Sequence, residues 1–166
     1  MKNRSLFLAA AIFLFAACGT AGKHTDSNVL GADTTTSAQL WAKMLIRPEF
    51  KLGDPLEMRF TIYNRSSESQ QFCKWHTPFE PPMSKYLDIT DELGAEVPYM
   101  GAMAKRIMPP PADSYITVKP GDSLSVKVDL SKIYRVDKAG RYVVRYVAQE
   151  ISGVSAKDSV TFAVHQ

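Results

Sequence analysis

Cysteine is scarce in this chain of 166 residues: Cys18 and Cys73 are the two present. A framework of several disulfides is excluded, so the fold must rest on its apolar core. Histidine is nearly as rare, with His24, His76 and His165 the three present. The chain has no His-Glu-x-x-His pair, Gly-x-Ser-x-Gly elbow, Gly-rich phosphate loop or Cys-x-x-Cys pair. The helix-borne zinc site, the hydrolase nucleophile and the redox dithiol are therefore not written here. Charge of one sign is also lacking. Twenty Lys and Arg stand against 17 Asp and Glu, for a net charge of +3, and the basic residues cluster only at Lys105-Arg106, which leaves no electrostatic footprint for nucleic acid. Nine Gly and 45% hydrophobic residues rule out collagen-like and wholly disordered classes. No apolar run reaches the roughly 20 residues that span a bilayer. Asp88, Asp91, Glu92 and Glu96 could supply paired carboxylates, but nothing positive favours catalysis. One non-enzymatic domain without a cofactor is the expectation.

What is present begins with an address. Met1-Lys2-Asn3-Arg4 is basic, Leu6 to Ala17 is an unbroken apolar run of 12 residues, and Ala16-Ala17 precede Cys18. This is the basic, apolar and small-residue order of a secretory leader. Its end resembles a bacterial lipobox, with Phe15 where Leu is usual, so residues 1–17 are expected to be removed and Cys18 lipidated. Two or more acyl chains at about 0.8 kcal/mol per buried methylene anchor stably. Loss of Lys2 and Arg4 with the leader lowers 20 basic residues to 18 against 17 acidic ones. A lipidated Cys18 leaves Cys73 as the only thiol, with no intramolecular partner. Residues 18–36 are rich in Gly, Ala, Ser, Thr and Asp and read as a tether, with a mean reach of about 23 Å and roughly 60 Å fully extended. Gly19 is not the Asp that retains many lipoproteins at the inner membrane, so the expected location is the bacterial cell envelope, outer membrane over inner.

From residue 37 to 166 the hydrophobic period is two. Leu40, Ala42, Met44 and Ile46 alternate with polar or outward positions. So do Leu56, Met58, Phe60 and Ile62; Leu124, Val126, Val128 and Leu130; Tyr142, Val144, Tyr146 and Ala148; and Val160, Phe162 and Val164. Gln70 to Trp75, Tyr86 to Thr90, Val97 to Met100 and Tyr115 to Val118 are shorter candidates. Lys51 to Pro55 reads as a loop, and Asn64-Arg65-Ser66, an N-glycosylation triplet, as a hairpin turn. About eight short strands between turn signals predict an all-β fold, an immunoglobulin-like antiparallel β-sandwich. Tyr142, after Gly140-Arg141, is either a corner tyrosine bonding back to the backbone or simply an inward aromatic.

Gly101 to Ser114 (GAMAKRIMPPPADS) neither alternates nor forms a compact turn, and long irregular connections are often functional. Soft ligands suited to Cu(I) lie nearby, namely Cys73, His76 and Met83 with Met100, Met103 and Met108. Against this weak alternative, Cys73 and Trp75 fall on the face expected to be buried, where a free cysteine is usually inert.

Three blocks in order carry a resemblance. The first is Lys74-Trp75-His76-Thr77-Pro78-Phe79-Glu80. The second is Val97-Pro98-Tyr99-Met100-Gly101, leading to Lys105-Arg106 and Pro109. The third runs from Asp113 through Lys119-Pro120-Gly121-Asp122-Ser123 and Val128-Asp129-Leu130-Ser131 to Gly140-Arg141-Tyr142-Val143-Val144-Arg145-Tyr146. Across about residues 38 to 150 these resemble the N-terminal, non-catalytic domain of bacterial deuterolysin-like peptidases, the peptidyl-Lys metalloendopeptidase group. A looser similarity, through Leu52-Gly53-Asp54-Pro55-Leu56 and the Pro-Gly-Asp-Ser turn, is to small exported inhibitors of proteinases. The resemblance implies a free-standing accessory domain, with the zinc ligands of that group absent. It implies a protein partner such as a metalloprotease, besides the membrane. The expected partner-binding residues are Trp75, His76, Phe79, Lys105, Arg106, Pro109 and Pro110. The rival reading is a structural lipoprotein whose loops merely connect strands.

Overall fold

The structure, a computed structural model, describes residues 40–166. The leader, Cys18 and the whole tether lie outside the described residues. The described residues form nine strands: β1 (Trp41–Ile46), β2 (Glu49–Lys51), β3 (Glu57–Tyr63), β4 (Gln70–Cys73), β5 (Leu87–Asp91), β6 (Tyr115–Val118), β7 (Ser123–Asp129), β8 (Gly140–Tyr146) and β9 (Val160–His165). One helical turn, α1 (Gln149–Ser152), joins β8 to β9. None of the described helices is long and apolar enough to cross a membrane.

Alternation decides which side of each strand is wet. On β3, Met58, Phe60 and Ile62 are fully buried while Glu57 and Arg59 are exposed. On β8, Tyr142, Val144 and Tyr146 point inward. One sheet runs β1-β3-β7 and the other β2-β9-β8-β5. They meet where the Phe60 ring packs 5.2 Å from Tyr146. Each such large apolar side chain contributes about 1.5–3 kcal/mol on burial. The inner face of β7 is only half-buried, whereas Ala42 and Met44 on β1, the other edge of that sheet, are buried.

One pairing is not antiparallel. β2 runs parallel to β9, with Phe50 opposite Val164, so Lys51 ends a strand instead of opening a loop. Three residues are too few to show a period. The strand is defined by one inward side chain, Phe50, edge-on to Phe162 at 5.8 Å. The stretch from Val97 to Met100 makes no strand, only the isolated bridge Tyr99↔Tyr134, with Thr90↔Glu96 just before it, since Pro98 has no N–H to offer a ladder. Tyr142 fills both of its expected roles: it stacks on Phe162 at 5.2 Å and its hydroxyl donates to the Lys138 carbonyl at 2.8 Å.

Asn64 does not head a hairpin. β3 pairs with β7 and β4 pairs with β6, both antiparallel, so residues 64–69 and 119–122 interrupt one continuing two-stranded ribbon. Asn64 is buried at this jog. Its Nδ2 donates to the carbonyls of Glu68 at 2.7 Å and Val118 at 2.9 Å, while its Oδ1 accepts from the Ser66 N–H at 3.0 Å and the Ser66 hydroxyl at 2.7 Å. The outer edge of β5 is closed as well. The Tyr134 hydroxyl donates to the Leu87 carbonyl at 2.9 Å and accepts from the Leu87 N–H at 3.3 Å. Val97 N–H donates to Ile89, and Asp91 N–H to Ala95. A strand edge covered in this way cannot template pairing with another chain.

Candidate partner-binding site

The candidate site begins where β4 ends. Thr77, fully buried, donates its hydroxyl to the Lys74 carbonyl at 2.6 Å and accepts the Phe79 N–H at 3.1 Å, closing residues 74–79 into a tight turn. Within it His76 adopts φ +56°, a left-handed conformation that costs a non-glycine residue of order 1 kcal/mol. Three bonds hold it there. Its N–H donates to Glu80 Oε1 at 2.9 Å, its Nδ1 lies 3.3 Å from the Lys85 carbonyl, and its carbonyl accepts the Tyr146 hydroxyl at 3.2 Å. Tyr146 is also bonded to the Ser152 hydroxyl at 2.7 Å. Burial, partly offset by that Ser152 bond, pushes the Tyr146 phenol up to about 12.

Glu80 links this turn to the irregular segment after residue 100. Its carboxylate, 6% exposed, accepts from Arg106 Nη2 at 2.8 and 2.6 Å and from the Ser84 hydroxyl at 3.3 Å. The Arg106 guanidinium in turn lies 4.7 Å over the Trp75 ring, a cation–π contact. Glu80, Arg106 and Trp75 thus form one pillar. Arg106 Nε is buried without a partner among the described residues. The backbone of the segment is tied down beside it, with the Ala102 N–H donating to Pro82 and the Ala104 N–H to Met83. The Tyr99 hydroxyl donates to the Ala102 carbonyl at 3.1 Å.

The expected binding residues therefore divide. Trp75 is buried, on the inward face that the strand reading expected, so it is not an exposed partner contact; it is the floor on which Arg106 rests. Arg106 is engaged by Glu80 and is not free to meet a partner. Phe79 packs edge-on to Phe72 at 5.2 Å, and His76 is half-buried. Lys105 and Pro109 are exposed, and Pro110 is half-buried. No carboxylate pairs with Lys105 among the described residues. On the same two loops, apolar side chains that the expectation treated only as soft ligands are exposed, namely Met83, Met100, Met103 and Met108, as is Ile107 at 85%. Glu80, Ser84 and Tyr146 were missed. Their contacts to this site span 26 residues for Glu80 to Arg106 and 70 for Tyr146 to His76, and no local spacing announces them.

Soft-metal chemistry finds little here. Cys73 is buried, and burial raises its thiol against ionisation, so the thiolate that Cu(I) prefers is disfavoured beside His76 and Met83. Among the described residues no three His, Cys, Asp or Glu gather as a metal site.

Comparison with known proteins points the same way as the architecture. An extracellular protease of Aeromonas hydrophila is 31% identical over 110 residues, covering 64% of this chain and 31% of that protein. An uncharacterized secreted protein of Arthroderma benhamiae is 30% identical over 90 residues, covering 52% of this chain and 46% of that protein. The chain thus spans less than half the length of each of these curated relatives, and both are named as extracellular or secreted. A solved β-glucosidase from Listeria innocua in complex with glucose overlaps 78% of this chain and 16% of its own at 14% identity with a TM-score of 0.42, too loose to carry an argument. Residues 48–149 match the immunoglobulin-like domain family, which covers most of the sandwich from β2 through β8, and the chain belongs to that family.

Proposed function

We propose that this protein is a non-catalytic binding module of the bacterial cell envelope, held by lipid on Cys18, that recognises a protein partner, namely an extracellular protease. The observation that carries the reading is the loop surface itself. Met83, Met100, Met103, Ile107 and Met108 stand exposed on segments fixed from below by the Arg106–Glu80 pair. Clustered exposed apolar side chains on a soluble domain mark interaction sites, methionine adapts to irregular partners, and a rigid base lowers the ordering cost of binding. The similarity to the Aeromonas protease supports the choice of partner. It accords with the resemblance to the non-catalytic domain of deuterolysin-like peptidases, and the role proposed for this chain is that of an accessory, a chaperone or an inhibitor of the protease.

The test is binding of the full chain to the purified Aeromonas hydrophila extracellular protease by surface plasmon resonance, with dissociation constants of micromolar or tighter expected. Absence of saturable binding overturns the protease reading. Mass spectrometry of the mature N-terminus checks the anchor; an unmodified Cys18 would remove it.

A further inference from the structure

We propose that the outer face of the β1-β3-β7 sheet is a binding site for an acidic oligosaccharide, with one sugar ring against the free face of Tyr63 and a carboxylate held by Arg59 and Lys43. The site shares no residue with the loop surface and does not depend on the protease reading.

The pairing register lays the outward side chains in rows across the three strands. Trp41, Tyr63 and Ser123 form one row; Lys43, Thr61 and Ser125 form the next; Leu45, Arg59 and Lys127 form the third. The positions between them, Ala42, Met44, Phe60 and Ile62, are buried, so these rows face away from the core. The Trp41 and Tyr63 ring centroids are 4.5 Å apart with their planes 14° from parallel. That separation nearly equals the spacing of neighbouring strands, about 4.8 Å. Rings on adjacent strands stack at that distance when both stand upright on the sheet with their faces turned along the row. Tyr63 takes one face of the indole, and the Arg65 guanidinium, 4.4 Å from the indole ring, takes the other. The second face of Tyr63 looks the opposite way, over the small side chain of Ser123.

On that side a groove of about 280 Å³ opens, lined by Tyr63, Thr61, Ser123 and Ser125 and ending at Lys43, Leu45 and Arg59. Trp41 does not line it, as the upright stack requires. Its floor is made of hydroxyls: Thr61 and Ser125 share one hydrogen bond at 2.6 Å, which leaves one hydroxyl hydrogen and further lone pairs for a ligand. No described carboxylate lines the groove. The carboxylates around it are committed elsewhere. Glu57 pairs with Lys127 at 2.8 Å, Asp122 accepts the Ser123 N–H at 2.7 Å, and Asp129 accepts the N–H groups of Leu56 and Ser131. Lys43 and Arg59 have no carboxylate partner among the described residues. Other exposed lysines are unpaired too; these two cations differ in sharing one groove with an open ring face and a hydroxyl floor.

The occupant follows from that combination. An aromatic face beside hydroxyls receives a pyranose ring through its C–H groups and its own hydroxyls. A guanidinium and an ammonium without counter-charge receive a carboxylate. Tyr63 and Arg59 lie four residues apart on β3, about 13 Å, the length of two linked pyranose rings. The ligand class is a uronic-acid oligosaccharide.

The probe is digalacturonate, titrated calorimetrically into the full chain. Saturable binding with a Kd below about 1 mM is expected, with the neutral disaccharide cellobiose and the sugar-free dianion succinate each at least about tenfold weaker. Arg59→Ala and Lys43→Ala should each weaken digalacturonate about tenfold. Ser125→Tyr fills the groove from an exposed position and should abolish binding with the melting temperature unchanged. Lys138→Ala removes a surface cation outside the groove and should leave binding as it was. No binding of digalacturonate, or equal binding by Ser125→Tyr, overturns the site. Equal binding of cellobiose overturns the acidic ligand, and equal binding of succinate overturns the sugar. If Lys138→Ala weakens binding as much as Arg59→Ala, net charge alone is at work and the groove is overturned.

Discussion

Removing the guanidinium of Arg106 should destabilise the domain far more than a half-exposed surface arginine ordinarily would. The Arg106–Glu80 pair is only 21% and 6% exposed on its two side chains. In the Arg106→Ala protein, Glu80 keeps only the His76 N–H and the Ser84 hydroxyl, and stranding a nearly buried carboxylate costs about 3 kcal/mol. Loss of the contact over Trp75 adds about 0.5–1 kcal/mol. The already unpartnered Nε offsets a little, since its desolvation is relieved. The expected net loss is about 3 kcal/mol, or roughly 10 °C in melting temperature for a domain of this size. Urea denaturation of wild type, Arg106→Ala, Glu80→Ala and the double variant closes a thermodynamic cycle. The double variant should be less destabilised than the sum of the singles, with a coupling of about 2 kcal/mol. A coupling below about 0.5 kcal/mol would mean that the pair behaves as an ordinary surface salt bridge, and the pillar argument would fail. Lys105→Ala, one residue away and unpaired, should be neutral in the same assay.

Two further outcomes are expected. Tyr134→Phe deletes the hydroxyl that serves both the N–H and the carbonyl of Leu87, and should cost about 2 kcal/mol in chemical denaturation; an unchanged midpoint would show that the edge of β5 does not depend on it. Alkaline pH should unfold the domain. Burial raises the phenols of Tyr86, Tyr134, Tyr142 and Tyr146, so the folded state holds their protons more tightly than the unfolded chain, where tyrosine ionises near pH ~10. Stability is therefore complete below about pH 10 and is lost as pH climbs toward about 12, with Tyr146 alone accounting for about 3 kcal/mol. Tyrosinate absorbance should rise together with loss of the far-ultraviolet strand signal, and independent gradual ionisation of all seven tyrosines in a folded protein would refute this.

Much of the sandwich could be read from the chain because its long strands are wet on one face. β3 and β8 announce themselves through Met58-Phe60-Ile62 and Tyr142-Val144-Tyr146, and burial follows that alternation residue by residue. β2 could not be read, since three residues with a single inward Phe50 carry no period and its partner β9 lies more than a hundred residues on. The jog at Asn64 looked like a turn for a sound reason: Asn and Ser favour local side-chain bonds in turns and in irregular breaks alike. The candidate site was half legible. The segment after Gly101 stands out by its prolines and its lack of period, and Lys105 is exposed as expected. Strand alternation already put Trp75 on the inward face, but Arg106 was assigned outward because nothing in the chain shows that Glu80 waits 26 residues before it. Polar networks of this kind are made by topology, and a local window sees only their separate halves.

The buried amide of Asn64 bears on how the protein is produced. In a yeast or mammalian secretory host the Asn64-Arg65-Ser66 triplet would meet the oligosaccharide-transferring machinery during translocation, before the ribbon around it has closed. Once folded, both N–H bonds of that side chain are committed to Glu68 and Val118, and no room or valence remains for a sugar. Glycan attachment and folding therefore compete for the same nitrogen. Material from such a host would divide into unmodified native chains and modified chains that cannot close the jog, whereas a bacterial host, lacking that reaction, would yield one population.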